Sequence, residues 1–150
     1  ILLGDRNGSF RDFDRYVANS YPMSLAIGDF NKDGMLDVVI NNYDTNATTL
    51  LLGGADLGFV RQSSRHNEEG SRPQSFAVCH FNNDSHIDVA VAFSQAHYIG
   101  IFLGHGNFSF TDQILHRTDP FLSTRAIAAG DFNNDDRCDI VTIYHNSDKV

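Results

Sequence analysis

The sequence lacks any apolar run near the roughly 20 residues that a membrane-spanning helix needs, so we expect no membrane span in this segment. Basic residues are also few. Eleven Lys and Arg face 19 Asp and Glu, which gives a net charge of −8, and the basic side chains are scattered along the chain. This balance argues against nucleic acid and anionic membrane surfaces as partners, and it fits the binding of a cation.

Signs of helices and of common catalytic sites are missing as well. No dozen residues carry apolar side chains at i, i+3 and i+4, and no H-E-x-x-H or G-x-S-x-G string occurs. We therefore predict that the protein is not an enzyme. The histidines are expected at the surface or in turns, and the loop acids are expected to be solvated: His66, His80, His86, His97, His105, His116 and His145; Asp12, Asp14, Asp44, Glu68 and Glu69.

The first residue is not Met, and no signal peptide is recognisable. The opening string ILLGDRNGSF instead has the character of a structured segment. We therefore expect the sequence to be a piece of a longer protein.

What the sequence does contain is a repeat with a period near 50 residues. The string GDFNKDGMLD at 28–37 returns as CHFNNDSHID at 79–88 and as GDFNNDDRCD at 130–139. A second string keeps the same phase, as ILLGDRNGSF at residue 1, LLLGGADLGF at residue 50 and IFLGHGNFSF at residue 101. Two strings that recur in one phase indicate a repeat architecture.

Each period contains four short runs rich in Val, Ile, Leu and Phe, separated by turn residues, which predicts four β-strands and little helix. In the second complete period we place the fourth strand at 108–114. Runs such as DVAVAF are apolar on both faces, so sheets must stack against sheets. The predicted fold is all-β, made of antiparallel β-propeller blades.

The phase of the repeat predicts a single partial propeller over 1–150. We place a half-blade (third and fourth strands) at 1–20, complete blades at 21–69 and 70–118, and a half-blade (first and second strands) at 119–150. About three blade-equivalents leave the ring incomplete, because closed propellers have about four to eight blades. The partners expected at the open edges are the remaining blades of the parent chain or further copies of this chain.

The Asp-rich string has the donors of a calcium loop. Asp or Asn stands at the first, third and fifth positions, Gly34 permits a tight turn at the sixth, a carbonyl follows at the seventh, and Asp37 stands at the ninth. Such oxygen donors suit Ca²⁺, which takes about six to eight of them. An EF-hand would need Glu at the twelfth position, where Ile40 and Thr142 stand, so we predict a calcium loop between two strands. The alternative is ordinary hairpin-turn chemistry.

These paired strings resemble the FG-GAP repeats of integrin alpha-subunit propellers and, more closely, the VCBS-type FG-GAP-like repeats of surface proteins. The resemblance covers the whole chain. It implies that the loop between the first two strands of a blade binds Ca²⁺ at the propeller rim. Two calcium sites follow, with these ligands: Asp29, Asn31, Asp33, the carbonyl of Met35 and Asp37; Asp131, Asn133, Asp135, the carbonyl of Arg137 and Asp139.

Two of the loops depart from this pattern. Asp136 replaces the glycine of the last loop, and binding is expected to survive because Asp tolerates a positive φ. In the middle loop His80 replaces the first Asp and Ser85 replaces the glycine. A weak or empty site is expected there, and the alternatives are a Zn²⁺ or Cu²⁺ site or a decayed loop held by Asx-type hydrogen bonds. Its candidate ligands are His80, Asn82, Asp84, the carbonyl of His86 and Asp88.

Cys79 and Cys138 fall in neighbouring blades. Packed sheets lie about 10 Å apart, whereas bridged cysteines need Cα atoms within about 7 Å. We therefore predict two free, buried thiols. Six aromatic residues recur in phase and are predicted to wedge between blades: Phe10, Phe30, Phe59, Phe81, Phe110 and Phe132.

Candidate glycosylation sites occur at Asn7, Asn46 and Asn107, in N-x-S/T strings. With the resemblance, the sequence predicts a calcium-binding, extracellular or cell-surface module that binds a protein or glycan ligand in adhesion. The alternatives are the accessory or catalytic propeller of a carbohydrate-active enzyme and a purely structural spacer.

Overall fold

The computed structural model describes residues 1–16, 21–55, 58–66, 71–119, 121 and 123–145, with only the backbone for 60–63 and 65. These residues form twelve strands and no helix, as predicted. The strands make four antiparallel sheets, two of four strands and two of two. Within this part of the chain, no helix has the length and apolar character of a membrane span.

Each complete blade is a meander in which consecutive strands pair. The leading half-blade holds β1 (Leu2–Gly4) and β2 (Phe10–Asp12), and the trailing half-blade holds β11 (Ser123–Gly130) and β12 (Asp139–His145). The complete blades have these strands: β3 (Pro22–Gly28), β4 (Asp37–Asn42), β5 (Ala47–Gly53) and β6 (Phe59–His66) in the first; β7 (Pro73–Cys79), β8 (Asp88–Phe93), β9 (Tyr98–Phe102) and β10 (Ile114–Arg117) in the second.

The fourth strand of the second blade lies later than the predicted range of 108–114, since β10 begins at Ile114. The chain first makes a turn, in which Phe108 has a φ of 65° and Gly104 bridges to Phe110. Thr111 then donates its N–H to the carbonyl of Leu103 (2.9 Å). Pairing with β9 resumes only after this irregular stretch.

The blades pack face to face around β8, whose six residues are all buried. Val89, Val91 and Phe93 join a core cluster with Phe30 and Val39 of the first blade. The alternate residues, Ala90 and Ala92, join a second cluster with Ile127 of β11. Side chains alternate across a strand, so both faces of this sheet are covered, as the apolar run DVAVAF predicted.

The six in-phase aromatic residues do not all behave as wedges. Phe30 is 3% exposed and packs against Phe110, with ring centroids 6.2 Å apart. Phe59 and Phe81 are half-buried. In the two half-blades, however, Phe10 and Phe132 are 68% and 60% exposed. Both residues lie in the half-blades at the open edges, where further blades are expected to pack, so their wedge position stays a prediction.

A disulfide joins Cys79 to Cys138, with Cα atoms 6.4 Å apart. The prediction of two free, buried thiols is therefore wrong, and both residues are only half-buried. The spacing of about 10 Å holds for the faces of packed sheets. Cys79, by contrast, ends β7, and β7 contacts β11, the first strand of the next sheet. The first strands of neighbouring blades thus approach more closely than the sheet faces do.

The domain boundaries stay predictions. The sheets lie within the predicted segments 1–20, 21–69, 70–118 and 119–150, but residues 17–20, 67–70, 120 and 122, at the junctions, lie outside the described residues. The acids Glu68 and Glu69 lie outside them too, whereas Asp12, Asp14 and Asp44 are exposed. Of the seven histidines, His86 is half-buried and the others are exposed.

Candidate metal loops

The first loop, residues 29–37, connects β3 to β4 and curls around its own backbone N–H groups. Asp29 accepts hydrogen bonds from the N–H of Asp33 (3.1 Å) and of Gly34 (2.9 Å). Asn31 Oδ1 accepts from the same Asp33 N–H (3.0 Å), and Asp33 Oδ1 accepts from Met35 (2.7 Å). The curl requires left-handed backbone at Lys32 (φ 62°) and Gly34 (φ 84°). Gly34 adopts such a conformation without steric cost.

Asp37, the ninth position, ties the loop to the rest of the blade. Its Oδ2 accepts from the N–H of Phe30 (2.9 Å), and its Oδ1 accepts from the N–H of Gly53 at the end of β5 (2.9 Å). A Cβ on Gly53 would lie 2.3 Å from the carbonyl oxygen of Leu36. Only a glycine at position 53, in the second repeated string, leaves room for the close approach to Leu36, in the loop that the first repeated string forms. Sequence reasoning missed this link.

The negative charge of Asp37 is unfavourable at this position, because the side chain has no exposed surface and a buried charge loses its hydration. Burial is the largest cause that raises the pKa of Asp37, the hydrogen bonds from Gly53 and Phe30 lower it, and repulsion from Asp33 and Asp29 raises it further. The net direction is upward. A positive charge placed among these three carboxylates would relieve the repulsion.

The last loop, residues 131–139, repeats the first almost bond for bond. Asp131 accepts from the N–H groups of Asp135 (3.1 Å) and Asp136 (2.9 Å), and Asp139 accepts from Phe132 (3.0 Å). Asp136 has a φ of 62°, so it takes up the left-handed conformation expected of it. Burial acts to raise the pKa of Asp131, but the surrounding N–H groups outweigh it and lower the pKa.

One side chain in the last loop competes for a predicted ligand. The guanidinium of Arg137 lies 2.8 Å from Asp135 Oδ2 and is 76% exposed. Asn133 Nδ2 donates to the same oxygen (3.3 Å). An exposed ion pair of this kind is worth no more than about 1 kcal/mol, so the carboxylate can exchange Arg137 for another cation.

The middle loop, residues 80–88, keeps only part of this network. Asp88 accepts from Phe81 (2.6 Å) and from Gly104 (2.8 Å), as Asp37 does from its partners. At the first position, however, His80 Nδ1 lies 2.5 Å from the carbonyl oxygen of His86. Ser85 does not adopt the left-handed backbone that Gly34 and Asp136 show. The two imidazoles face different partners, since His86 Nδ1 lies 3.3 Å from Asp84 Oδ1.

The donors of each loop are adjacent, but their oxygens are turned towards backbone N–H groups. Across the described ranges, no group of three or more His, Cys, Asp or Glu side chains stands together as around a metal ion. A carboxylate oxygen has two lone pairs, so one that accepts an N–H still has a lone pair for a cation. The all-oxygen donor sets of the first and last loops therefore fit Ca²⁺ chemically.

The three candidate glycosylation sites differ in access. Asn7 and Asn107 are exposed, and each accepts hydrogen bonds from the N–H and hydroxyl of the Ser two residues later. Asn46 is half-buried, and its Oδ1 accepts from Ser71 Oγ (2.8 Å) and from the N–H of Arg72 (3.0 Å). It thus forms a contact between the two complete blades.

Comparison with known proteins bears on the second half of the chain. No curated protein matches the chain. Residues 80–142 match the FG-GAP-like repeat family. This segment runs from the middle loop through β8–β11 and into β12, so it contains the last Asp-rich string, all but the first residue of the middle one, and the glycine string between them. The resemblance to FG-GAP-like repeats is confirmed for residues 80–142, which carry such a repeat.

Proposed function

We propose that this chain is a calcium-binding FG-GAP/VCBS repeat module of an extracellular or cell-surface protein, and that it binds a protein or glycan ligand in adhesion. The observation that supports it most directly is the common conformation of the first and last loops. In both, the first-position Asp holds the N–H groups of the fifth and sixth residues.

Ten donors would hold two Ca²⁺ ions, five in each loop, with solvent completing each shell. A bound Ca²⁺ supplies the positive charge that neutralises the crowded carboxylates. The protein's own part is to hold the donors in place through the N–H groups that they accept. The proposed donors are Asp29, Asn31, Asp33, the Met35 carbonyl and Asp37; and Asp131, Asn133, Asp135, the Arg137 carbonyl and Asp139.

The disulfide between Cys79 and Cys138 supports the proposed extracellular location. Disulfides form and persist in oxidising compartments and are rare in the cytosol. The exposed Asn7 and Asn107 are compatible with glycosylation in such a compartment.

Calcium binding is tested by titration calorimetry and by thermal melting in EDTA and in Ca²⁺. We expect two equivalents to bind, and each site to stabilise the fold by about 2.7 kcal/mol at a free concentration one hundred times Kd. The variants Asp33→Asn and Asp135→Asn should each weaken one site. Asp84→Asn, at the same position of the middle loop, is the matched control and should leave the stoichiometry unchanged. A melting temperature that is equal in EDTA and in Ca²⁺ would refute the proposal.

Ligand binding is tested separately, on a glycan array and with candidate surface proteins, using the full-length protein that carries these repeats. Calcium-dependent retention without sugar release supports an adhesion module. Sugar release would favour the carbohydrate-active enzyme instead. Calcium-stabilised folding with no retention of any ligand would favour the spacer.

A further inference from the structure

In the middle loop, a hydrogen bond between two groups of the protein lies at the position where the other two loops would bind an ion. In a calcium loop of this pattern, the first side chain and the seventh carbonyl both point to the cation. Here the first side chain, His80, is bonded to the seventh carbonyl, that of His86, at 2.5 Å. A carbonyl oxygen only accepts, so Nδ1 of His80 must carry the hydrogen and donate it.

A cationic side chain from the neighbouring blade also reaches the middle loop. Lys32, at the fourth position of the first loop, donates from Nζ to Ser85 Oγ (2.5 Å). The left-handed backbone of Lys32 (φ 62°) is shared by Asn83 (φ 60°) and Asn134 (φ 60°) at the fourth position of the other two loops. Ser85 occupies the sixth position, where the calcium-loop pattern has glycine.

The charge of the middle loop is lower as well. It contains two carboxylates, Asp84 and Asp88, where the first loop has Asp29, Asp33 and Asp37. Both carboxylates have protein partners. Asp84 accepts from the N–H of His86 (2.7 Å) and from Asn82 Nδ2 (2.7 Å), and Asp88 accepts from the N–H groups of Phe81 and Gly104.

We propose that the middle loop is a calcium-independent brace, in which the His80 imidazole, assisted by Lys32 of the neighbouring blade, takes the place of the divalent cation. The proposal rests in part on the proposed function, since it contrasts this loop with two that bind calcium. Its consequence is that the second complete blade keeps its loop closed when calcium is absent.

The first test is thermal melting of the full chain in EDTA. His80→Ala removes the donor and should lower Tm by about 2–4 °C, the shift expected for one hydrogen bond in a chain of this size. His80→Asn keeps an N–H₂ group where Nδ1 lay and should restore most of this loss. His105→Ala, at an exposed position, is the control. An unchanged Tm for His80→Ala, or an equal loss for His80→Asn, would overturn the proposal.

The second test is a gain of binding. The double variant His80→Asp with Ser85→Gly restores the calcium-loop pattern and should bind one more equivalent of Ca²⁺ than the wild type, whereas His80→Ala should bind the same number as the wild type. No additional equivalent in the double variant, or stabilisation of the wild type by Zn²⁺ that His80→Ala abolishes, would contradict the proposal. If the wild type bound no Ca²⁺ at all, the proposed function would fail, while the EDTA experiment would still decide on His80.

Discussion

Asp37 and Gly53, sixteen residues apart, are joined by a hydrogen bond of 2.9 Å from the glycine N–H to the buried carboxylate. Asp88 and Gly104 repeat the bond at the same separation, at 2.8 Å. The second oxygen of each carboxylate accepts the N–H of a phenylalanine at the start of its loop. In each complete blade, one side chain therefore holds both repeated strings together, whether or not the loop binds an ion.

The variants Asp37→Asn and Asp88→Asn should each destabilise the fold by about 1–3 kcal/mol in EDTA, because an amide keeps one acceptor and leaves one buried N–H unsatisfied. Urea unfolding measures this loss. Only Asp37→Asn should also weaken calcium binding. A wild-type unfolding midpoint in either variant would show that the carboxylate bridge does not stabilise the blade.

Gly53→Ala should destabilise the first blade by about 1–3 kcal/mol through overpacking, because its Cβ would lie 2.3 Å from the carbonyl oxygen of Leu36. Gly4→Ala is the matched control, because Gly4 occupies the same repeat position and its Cβ would come no nearer than 3.5 Å to Phe10. Thermal melting of the two variants side by side gives the comparison. Equal losses would mean that contact with the loop is not the cause.

Removal of the disulfide by Cys79→Ala with Cys138→Ala should cost about 2–4 kcal/mol of unfolding free energy, since the link closes a long loop of chain. The bridge spans a sequence separation of 59 residues. Dithiothreitol should lower the stability of the wild type by a similar amount and leave the double variant unchanged. Two free thiols in the oxidised wild type, counted by alkylation and mass spectrometry, would contradict the bond.

Expression in a eukaryotic secretory host should place glycans at the exposed Asn7 and Asn107. Asn46 should remain largely unmodified, because it is half-buried and bonded to Ser71 and Arg72. Asn7→Gln and Asn107→Gln should each remove one glycan, whereas Asn46→Gln should lower Tm without the loss of a glycan. A glycopeptide at Asn46 in folded protein would show that the contact between the blades opens.

Acid should weaken the fold through the last loop. The pKa of Asp131 lies below its ordinary value of 3.8 in the folded state, so its contribution is present above that value and is lost as pH falls through the lowered one. In EDTA, Asp131→Asn should therefore lose less stability than the wild type between about pH 5 and pH 2. Asp44→Asn, at an exposed turn, should keep the wild-type slope. Identical slopes in all three proteins would be the contrary result.

Much of this architecture is predictable from local patterns. The buried strand β8 follows from an apolar run bounded by turn residues, and the loops follow from the spacing of Asp and Asn. The bond between Asp37 and Gly53 was also within reach, since both complete repeats place a glycine sixteen residues after the ninth-position Asp. That spacing was the signal that the sequence reasoning missed.

Other features depend on how one blade sits against the next. The disulfide needs the approach of β7 to β11, and the contact of Lys32 with Ser85 needs a particular offset between neighbouring loops. The late start of β10 has a different cause, because the left-handed Phe108 and the bridge from Gly104 to Phe110 interrupt a run that reads as continuous. Neither the composition nor the spacing of residues along the sequence predicts how closely strands and loops of neighbouring blades approach, or where a turn interrupts a strand.

The bridge from each loop to the glycine at the end of the third strand also bears on how such repeats can be recombined. A crossover between the loop and β5 would join the carboxylate of one blade to the amide of another. A crossover between β6 and β7 would move the pair intact. Both complete blades carry the same Asp and glycine at the same separation. A chimera cut between the loop and β5 should therefore keep the bond as long as the spacing of sixteen residues is kept.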